Sequence, residues 1–251
     1  MIKKDKAYFF LKFGQRKYMM LLQQGNLHMK NLKYFISYEE EMAKKGRGDK
    51  YEGAMVLNDV RMQFRSPKTD EVFFEIYSAR TQLRDDSVLT KPVFCMTYIS
   101  GEDLEVINET DNYYEAKIKF SDQLKEEMAS EFGDTVLVMS AGNFLDRIKE
   151  VFEEEGLVYG QGKVDYYDYN INHSKRLQYF EEGNNPMIFF TKDELIAYQK
   201  EFRIVVLDKD TEDHLDIDIG DITPFSGLAD TRAFLNDNIV VRIMKNHDEG
   251  N

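Results

Sequence analysis

Hydrophobic and polar positions alternate along the chain with two different periods, and these periods predict a series of short strands and helices. Residues 7 to 13, AYFFLKF, are rich in aromatic side chains, which is typical of a strand. Residues 16 to 25 predict a short helix that ends at a glycine. In residues 26 to 35, Leu27 and Met29 alternate with polar residues as in a strand. The chain is therefore predicted to open with strand, helix and strand.

The middle of the chain predicts mainly strands with hairpin-like spacing, interrupted by helices. A helix is expected at residues 36 to 46, and the loop GRGDKYEGA follows. Two further helices are expected at 121 to 133 and 141 to 156, since each carries an apolar stripe at helical spacing and ends in glycine. The strand candidates are residues 60 to 65, 72 to 78, 93 to 100 and 113 to 120.

The last third of the chain predicts further strands and one short helix. Thr191 and Glu194 stand at capping-box spacing, which indicates a helix that leads into the next strand. Helices and strands do not alternate regularly, and no linker divides the chain. A single α+β domain over residues 1 to 251 is therefore predicted, with a mixed or largely antiparallel sheet and flanking helices. The strand candidates here are residues 163 to 169, 200 to 207, 214 to 220 and 238 to 244.

Composition and charge narrow the possible partners and the compartment. The formal net charge of −13 repels phosphate backbones, so a nucleic-acid partner is disfavoured. Cys95 is the single cysteine, which excludes an internal disulfide and fits a reducing compartment. The four histidines lie far apart in sequence, so no metal site is predicted. The apolar run before Lys12 is too short for a signal peptide or a membrane span. We expect a cytoplasmic protein without a membrane partner.

Glu201 and Arg203 form the first candidate for chemistry. In a strand, these two residues share one face, while Phe202, Ile204 and Val206 occupy the other. The face of Glu201 turns apolar after Arg203, which predicts that the pair lies at the mouth of a cleft. The alternative interpretation is an ordinary ion pair at the end of a surface strand.

The glycine-rich loop GRGDKYEG is the second candidate. Arg47 could bind a phosphate, and Asp49 and Glu52 could orient a ribose hydroxyl or bind a hard cation. The alternative is a solvated turn whose charges pair with one another.

Tyr34 and Phe35 are the third candidate and are predicted at the end of the second strand. Their rings could stack on a nicotinamide or a base, or they could belong to the core.

Several motifs together resemble a group of uncharacterised bacterial and phage proteins distantly related to ADP-ribosyltransferases. The resemblance extends from about residue 8 to about residue 220. The motifs that carry it are "KYMMLLQQGNLHMKNLKYFISYEE", "GRGDKYEG", "PVFCMTYIS", "VDYYDY" and "FFTKDELIAYQKEFRIVV".

The resemblance implies a split mixed sheet that holds NAD in the gap between its two halves. It implies that Glu201 is the catalytic residue, because a fixed carboxylate stabilises the oxocarbenium-like transition state as nicotinamide leaves. NAD would be bound by Lys12, Gln15, Tyr34, Phe35, Arg47, Asp49, Glu52 and Arg203. The family carries arginine or histidine on its first strand, where this chain has only Lys12 and Gln15.

Three functions follow as hypotheses. The first is an ADP-ribosyltransferase-like enzyme that modifies a macromolecule, preferably a protein, or cleaves NAD in phage–host or toxin–antitoxin conflict. The second is a non-enzymatic acidic protein that binds a nucleotide-like ligand or a partner protein, such as a phage-encoded inhibitor. The third is a metal-dependent nuclease with Asp49 and Glu52 as ligands, which the net charge disfavours.

Overall fold

The computed structural model describes residues 2–42, 49–181, 185–237 and 239–245, and the fold is α+β with mainly antiparallel sheets. The helices in these ranges are α1 (Arg16–Gln23), α2 (Leu32–Met42), α3 (Asp122–Glu131), α4 (Ala141–Glu154), α5 (Ser174–Glu181) and α6 (Thr231–Asn236). The strands are β1 (Ala7–Gly14), β2 (Asn26–Asn31), β3 (Ala54–Arg65), β4 (Val72–Arg84), β5 (Pro92–Ser100), β6 (Leu104–Glu109), β7 (Tyr113–Ile118), β8 (Thr135–Ser140), β9 (Tyr159–Lys163), β10 (Asp165–Tyr167), β11 (Thr191–Asp193), β12 (Glu201–Val206), β13 (His214–Asp218), β14 (Ser226–Asp230) and β15 (Val240–Met244).

Strand β5 is the centre of an eight-stranded sheet and pairs with three other strands. Thr97 lies between Leu11 of β1 and Glu201 of β12, so β1 and β12 are on opposite edges of β5. Val93 lies between Lys30 of β2 and Val205 of β12. The strands β1 and β2 therefore share one edge of β5, at its two ends.

The sheet splits along this shared edge. Strand β1 leaves β5 after Leu11 and continues to Gly14 in partnership with β8. Strand β2 reaches β5 only through Lys30 and Asn31, while its earlier residues pair with β13. Among the described residues, no strand pairs with this edge of β5 over residues 94–96. The gap exposes backbone polar groups that need other partners.

The main hydrophobic core lies between one face of this sheet and helix α4. Phe10, Phe94 and Phe202 come from three adjacent strands, and Phe144 and Ile148 of α4 pack against the same cluster. Burying one such side chain contributes roughly 1.5–3 kcal/mol. The predicted apolar stripe of α4 and the predicted apolar face of β12 are both confirmed by this packing.

Two predictions about local structure are wrong, and a third is confirmed in part. Tyr34 and Phe35 lie in the first turn of α2, because β2 ends at Asn31. Residues 191–198 form strand β11 and a short 3-10 turn, which Asp193 caps by accepting a hydrogen bond from the Leu195 amide. The segment 163–169 contains the end of β9 and all of β10. Strands β6, β8, β11 and β14 and helices α5 and α6 were not predicted.

Strands β3 and β4 form a separate two-stranded ribbon. Phe73 and Tyr77 are 70% and 66% exposed, and Phe64 stacks on Phe74 near the tip.

Within the described ranges, no helix has the length and apolar character needed to cross a membrane.

Candidate functional site

A cavity of about 920 Å³ opens where the sheet splits, and we call it the split cavity. Its wall includes residues 12–14 at the end of β1, residues 93–97 of β5, and Asn26, His28 and Lys30 of β2. These are the segments that separate at the split. The divergence of β1 and β2 from β5 therefore creates the cavity.

Five of the residues predicted to form the site line the split cavity: Lys12, Gln15, Tyr34, Phe35 and Glu201. They come from β1, the start of α1, the first turn of α2 and the start of β12. The tertiary structure thus brings together residues that are up to 189 positions apart in the chain, counting from Lys12 to Glu201.

The other predicted residues lie elsewhere. Asp49, Glu52 and Arg203 are 4%, 1% and 1% exposed, and none of them lines the split cavity. The predicted position of Arg203 at the mouth of a cleft is wrong, because β12 is a central strand with both edges paired. The solvated-turn alternative fails for Asp49 and Glu52, since both side chains are buried. Arg47 lies outside the described residues.

Glu201 belongs to a buried ion cluster with Glu52, Lys192 and Arg203. The Arg203 guanidinium donates two hydrogen bonds to the Glu52 carboxylate, at 2.8 and 2.5 Å, and its Nε donates to Glu201 Oε1. Lys192 Nζ donates to Glu201 Oε2 at 2.7 Å and lies 3.3 Å from Glu52 Oε1. Two cations thus face two carboxylates, and each charge has an opposite partner.

The backbone fixes this cluster in place. Arg203 Nη1 also donates to the Phe189 carbonyl at 2.6 Å. The Glu201 amide donates to the Tyr166 hydroxyl at 2.9 Å. Lys192 is positioned by the parallel pairing of β11 with β10, where it lies opposite Tyr166. The split cavity therefore has a rigid charged wall at Glu201 and Lys192, which both line it.

The cluster keeps Glu201 ionised. Burial raises the pKa of the Glu201 carboxyl, but Arg203 and Lys192 lower it further, so the pKa lies well below its ordinary value. Burial lowers the pKa of the Lys192 ammonium, and Glu201 and Glu52 raise it above its ordinary value by a larger amount. At neutral pH Glu201 is a fixed anion. It can accept hydrogen bonds and stabilise positive charge, but it has no proton to donate.

Lys12 lies at the base of the split. Its ammonium donates to the Cys95 carbonyl at 2.5 Å and lies 4.5 Å from the centre of the Phe94 ring. This hydrogen bond satisfies a carbonyl in the part of β5 that β1 and β2 leave unpaired. Lys12 therefore combines a structural contact with a positive charge at the cavity wall.

Aromatic rings form another part of the wall. Tyr34 and Phe35 meet edge to face, with ring centroids 5.4 Å apart. Both side chains are half-buried, so part of each ring remains accessible from the cavity. Half-buried rings of this kind can stack on a planar ligand.

Cys95 lines the cavity but is not activated as a nucleophile. Burial is the main cause that raises the pKa of its thiol to about 12, and the negative charge of Glu201 is the second cause. The thiol is therefore protonated at neutral pH, and the thiolate is the reactive form. The Cys95 side chain packs against a hydrophobic cluster, which fits a packing role in β5.

Two functional features of the wall were missed by sequence reasoning. Lys192 was placed on a predicted helix, and no local signal pairs it with Glu201. His28 and His214 lie on adjacent strands at the cavity rim, with ring centroids 4.7 Å apart. Only the antiparallel pairing of β2 with β13 brings these histidines together.

In comparisons with protein-family models, with curated proteins and with solved structures, no match to this chain was found. The geometry of the split cavity and the chemistry of its wall therefore carry the functional argument.

Proposed function

We propose that this protein is an ADP-ribosyltransferase-like enzyme that binds NAD in the split cavity and uses Glu201 as its catalytic carboxylate. The observation that carries the proposal is the position of Glu201: an ionised, rigidly held carboxylate in the wall of the cavity at which the central sheet splits. The resemblance of the motifs to bacterial and phage proteins supports a role in phage–host or toxin–antitoxin conflict.

The size of the cavity supports a ligand as large as a dinucleotide. Pockets for small molecules and cofactors usually measure about 300–1,000 Å³, and the split cavity is near the upper end of that range. Its wall combines apolar and aromatic surface with a few charged groups, which is the usual composition of such sites.

The reaction begins with cleavage of the bond between nicotinamide and ribose. The bonding electron pair leaves with nicotinamide, and positive charge develops on the ribose ring. The Glu201 carboxylate would accept a hydrogen bond from a ribose hydroxyl and stabilise that charge. A nucleophile, either a side chain of a target protein or water, then forms the new bond at the same carbon and loses its proton.

Lys192 and Arg203 act on the reaction through Glu201. Their hydrogen bonds fix the carboxylate and keep it ionised, so they are positioning residues. Lys12 would offer a positive charge to the pyrophosphate, and Tyr34 and Phe35 would stack on the nicotinamide or the adenine. The resemblance implies that Arg203 binds the pyrophosphate. In this proposal Arg203 has no direct contact with NAD, because it is buried and does not line the split cavity.

A second function is favoured by one specific observation. The Glu201 side chain is only 6% exposed, and both of its oxygens already accept hydrogen bonds from cations. This second function is binding without catalysis. The buried ion cluster then has a structural role, and the split cavity binds a nucleotide-like ligand or a segment of a partner protein. The nuclease hypothesis loses one of its two ligands, because Glu52 is occupied by Arg203 and Lys192.

The deciding experiment is turnover of NAD by the purified protein, with free nicotinamide as the readout, in the presence and absence of a cell lysate as the source of acceptor. The Glu201→Gln variant is compared with Glu52→Gln, which is its matched control. Both substitutions remove one carboxylate from the same buried ion cluster, but only Glu201 lines the split cavity.

If the proposal is correct, Glu201→Gln lowers the rate of nicotinamide release by about 10²–10³-fold, the usual effect of losing one electrostatic contact to a transition state. Glu52→Gln retains most of the activity at a temperature at which both variants are folded. Phe35→Ala weakens NAD binding without affecting the ion cluster. The absence of both NAD binding and nicotinamide release in the wild-type protein would refute the enzyme function.

A further inference from the structure

Three potential metal ligands meet at the rim of the split cavity. His28 lies on β2, and His214 and Asp216 lie on β13. Asp216 pairs directly with His28 in the antiparallel register, and His214 is two residues away on the same strand. All three side chains therefore project from the same face of the sheet. One donor atom from each lies within 4.8 Å of the other two.

The spacing of the donor atoms suits a first-row divalent metal. His28 Nδ1 is 2.6 Å from Asp216 Oδ1, and His214 Nε2 is 3.5 Å from Asp216 Oδ2. A zinc ion binds nitrogen and oxygen at about 2.0–2.2 Å, so neighbouring ligands in a tetrahedral site are roughly 3.3–3.6 Å apart. Side-chain movements of about 1 Å would bring the three groups into that arrangement.

A hydrogen bond to a second carboxylate prepares His214 for this role. Asp213 Oδ2 is 2.6 Å from His214 Nδ1, and Lys30 Nζ donates to Asp213 Oδ1 at 2.6 Å. A proton on Nδ1 leaves the Nε2 lone pair directed toward Asp216. Metal-binding histidines nearly always have such a carboxylate or carbonyl partner on the second ring nitrogen. This contact uses the ring nitrogen of His214 that the metal would not occupy.

We propose that His28, His214 and Asp216 bind a divalent transition metal, with zinc as the preferred ion. Two histidines and one carboxylate form a common three-residue set that leaves at least one coordination position for water or another ligand. The three side chains are 41–47% exposed, so a metal can reach them from solvent. The site requires no part of the proposed NAD chemistry.

The charge of the wall gives the metal a physical role. The described residues of the wall include three lysines and four carboxylates, and Asp213 and Asp216 concentrate negative charge at the rim. Lys30 already pairs with Asp213, so a bound divalent cation would chiefly offset the charge of Asp216. The open coordination position would then face the split cavity, where an anionic ligand group could occupy it.

The test measures zinc binding directly, by isothermal titration of the untagged 251-residue chain with zinc chloride and by the visible absorption spectrum after addition of cobalt(II). We expect one metal per chain and a cobalt spectrum typical of a nitrogen and oxygen site. Neither readout involves NAD, so the result is independent of the enzymatic proposal.

Five variants test the assignment of the ligands. His28→Ala, His214→Ala and Asp216→Ala should each weaken binding by more than 100-fold, and Asp213→Asn should weaken it by about 10–100-fold, as expected for the loss of the partner of a metal-bound histidine. His173→Ala is the matched control and should bind like the wild type, because His173 is exposed but lies away from the split cavity.

Three results would overturn the proposal. The first is a wild-type protein that binds no zinc. The second is a His214→Ala variant that binds zinc as tightly as the wild type. The third is loss of the metal in a Cys95→Ser variant, because Cys95 also lines the cavity and would then be the ligand.

Discussion

Glu52 and Glu201 illustrate how a buried charge depends on its partners. Each carboxylate is almost fully buried and contacts both Arg203 and Lys192. Burying an ion without a partner costs several kcal/mol, while a complete set of opposite charges offsets most of that cost. The buried ion cluster is therefore sensitive to the loss of one member.

Glu52→Gln should lower the free energy of unfolding by about 3–5 kcal/mol, because it leaves a buried cation without its full complement of negative charge. Urea denaturation at pH 7 measures this change. The combined Glu52→Gln and Lys192→Met variant should recover part of the loss, since it removes one charge of each sign. Glu75→Gln is the control, because Glu75 pairs with Arg61 on the exposed ribbon. A loss of stability in Glu75→Gln equal to that in Glu52→Gln would contradict the argument.

The pH dependence of stability follows from the lowered pKa of Glu201. In the unfolded chain this carboxyl has its ordinary pKa of 4.5, and in the folded protein its pKa is well below that value. The unfolded state thus binds more protons at acidic pH, so the stabilisation is complete above the ordinary pKa and is lost as the pH falls below it. The free energy of unfolding should decrease more steeply below pH 4.5 in the wild type than in Glu201→Gln. Equal slopes in urea titrations at several acidic pH values would show that Glu201 does not contribute.

At the scale of elements, the ribbon of β3 and β4 differs from the central sheet. In the part of the chain that the structure describes, the two strands of the ribbon pair only with each other, whereas β5 pairs with β1, β2 and β12. Phe73 and Tyr77 at the tip are exposed, so they bury little apolar surface. The stability of the domain should therefore not depend on the tip.

Replacing residues 62–76 with Asn-Gly joins the cross-strand partners Arg61 and Tyr77 by a two-residue hairpin turn. We expect the melting temperature to change by less than about 2 °C, because the removed segment contributes little to the core. Phe94→Ala in β5 is the comparison and should cost about 3–5 kcal/mol. Unfolding of the shortened protein at ambient temperature would show that the tip supports the domain.

At the scale of the whole molecule, the net charge of −13 acts on every encounter with a charged partner. Like charges slow the approach of a polyanion, and stable binding to duplex DNA requires clustered lysine and arginine. Among the described residues that line the split cavity, three lysines are accompanied by four carboxylates, so these residues do not supply such a cluster.

We therefore expect no binding of labelled duplex DNA in fluorescence anisotropy at 150 mM salt, where non-specific complexes have Kd values of roughly 10⁻⁴–10⁻⁶ M. The same protein measured at lower salt is the internal comparison. A complex that forms at 150 mM salt and weakens as salt is added would reveal a basic surface and contradict the expectation of a protein or small-molecule partner.

The sequence by itself determined the local features: the α+β class, the apolar stripe of α4, and the alternation that places Glu201 and Arg203 on the face of β12 opposite Phe202. Neighbouring residues encode these features, since the periods of helix and strand repeat over a few positions. The tertiary structure alone decided which distant groups meet. Glu52 reached Arg203, 151 positions away, in the buried ion cluster, and His28 reached Asp216, 188 positions away, through the pairing of β2 with β13. The register of such pairing depends on the packing of the whole core, which no local pattern contains.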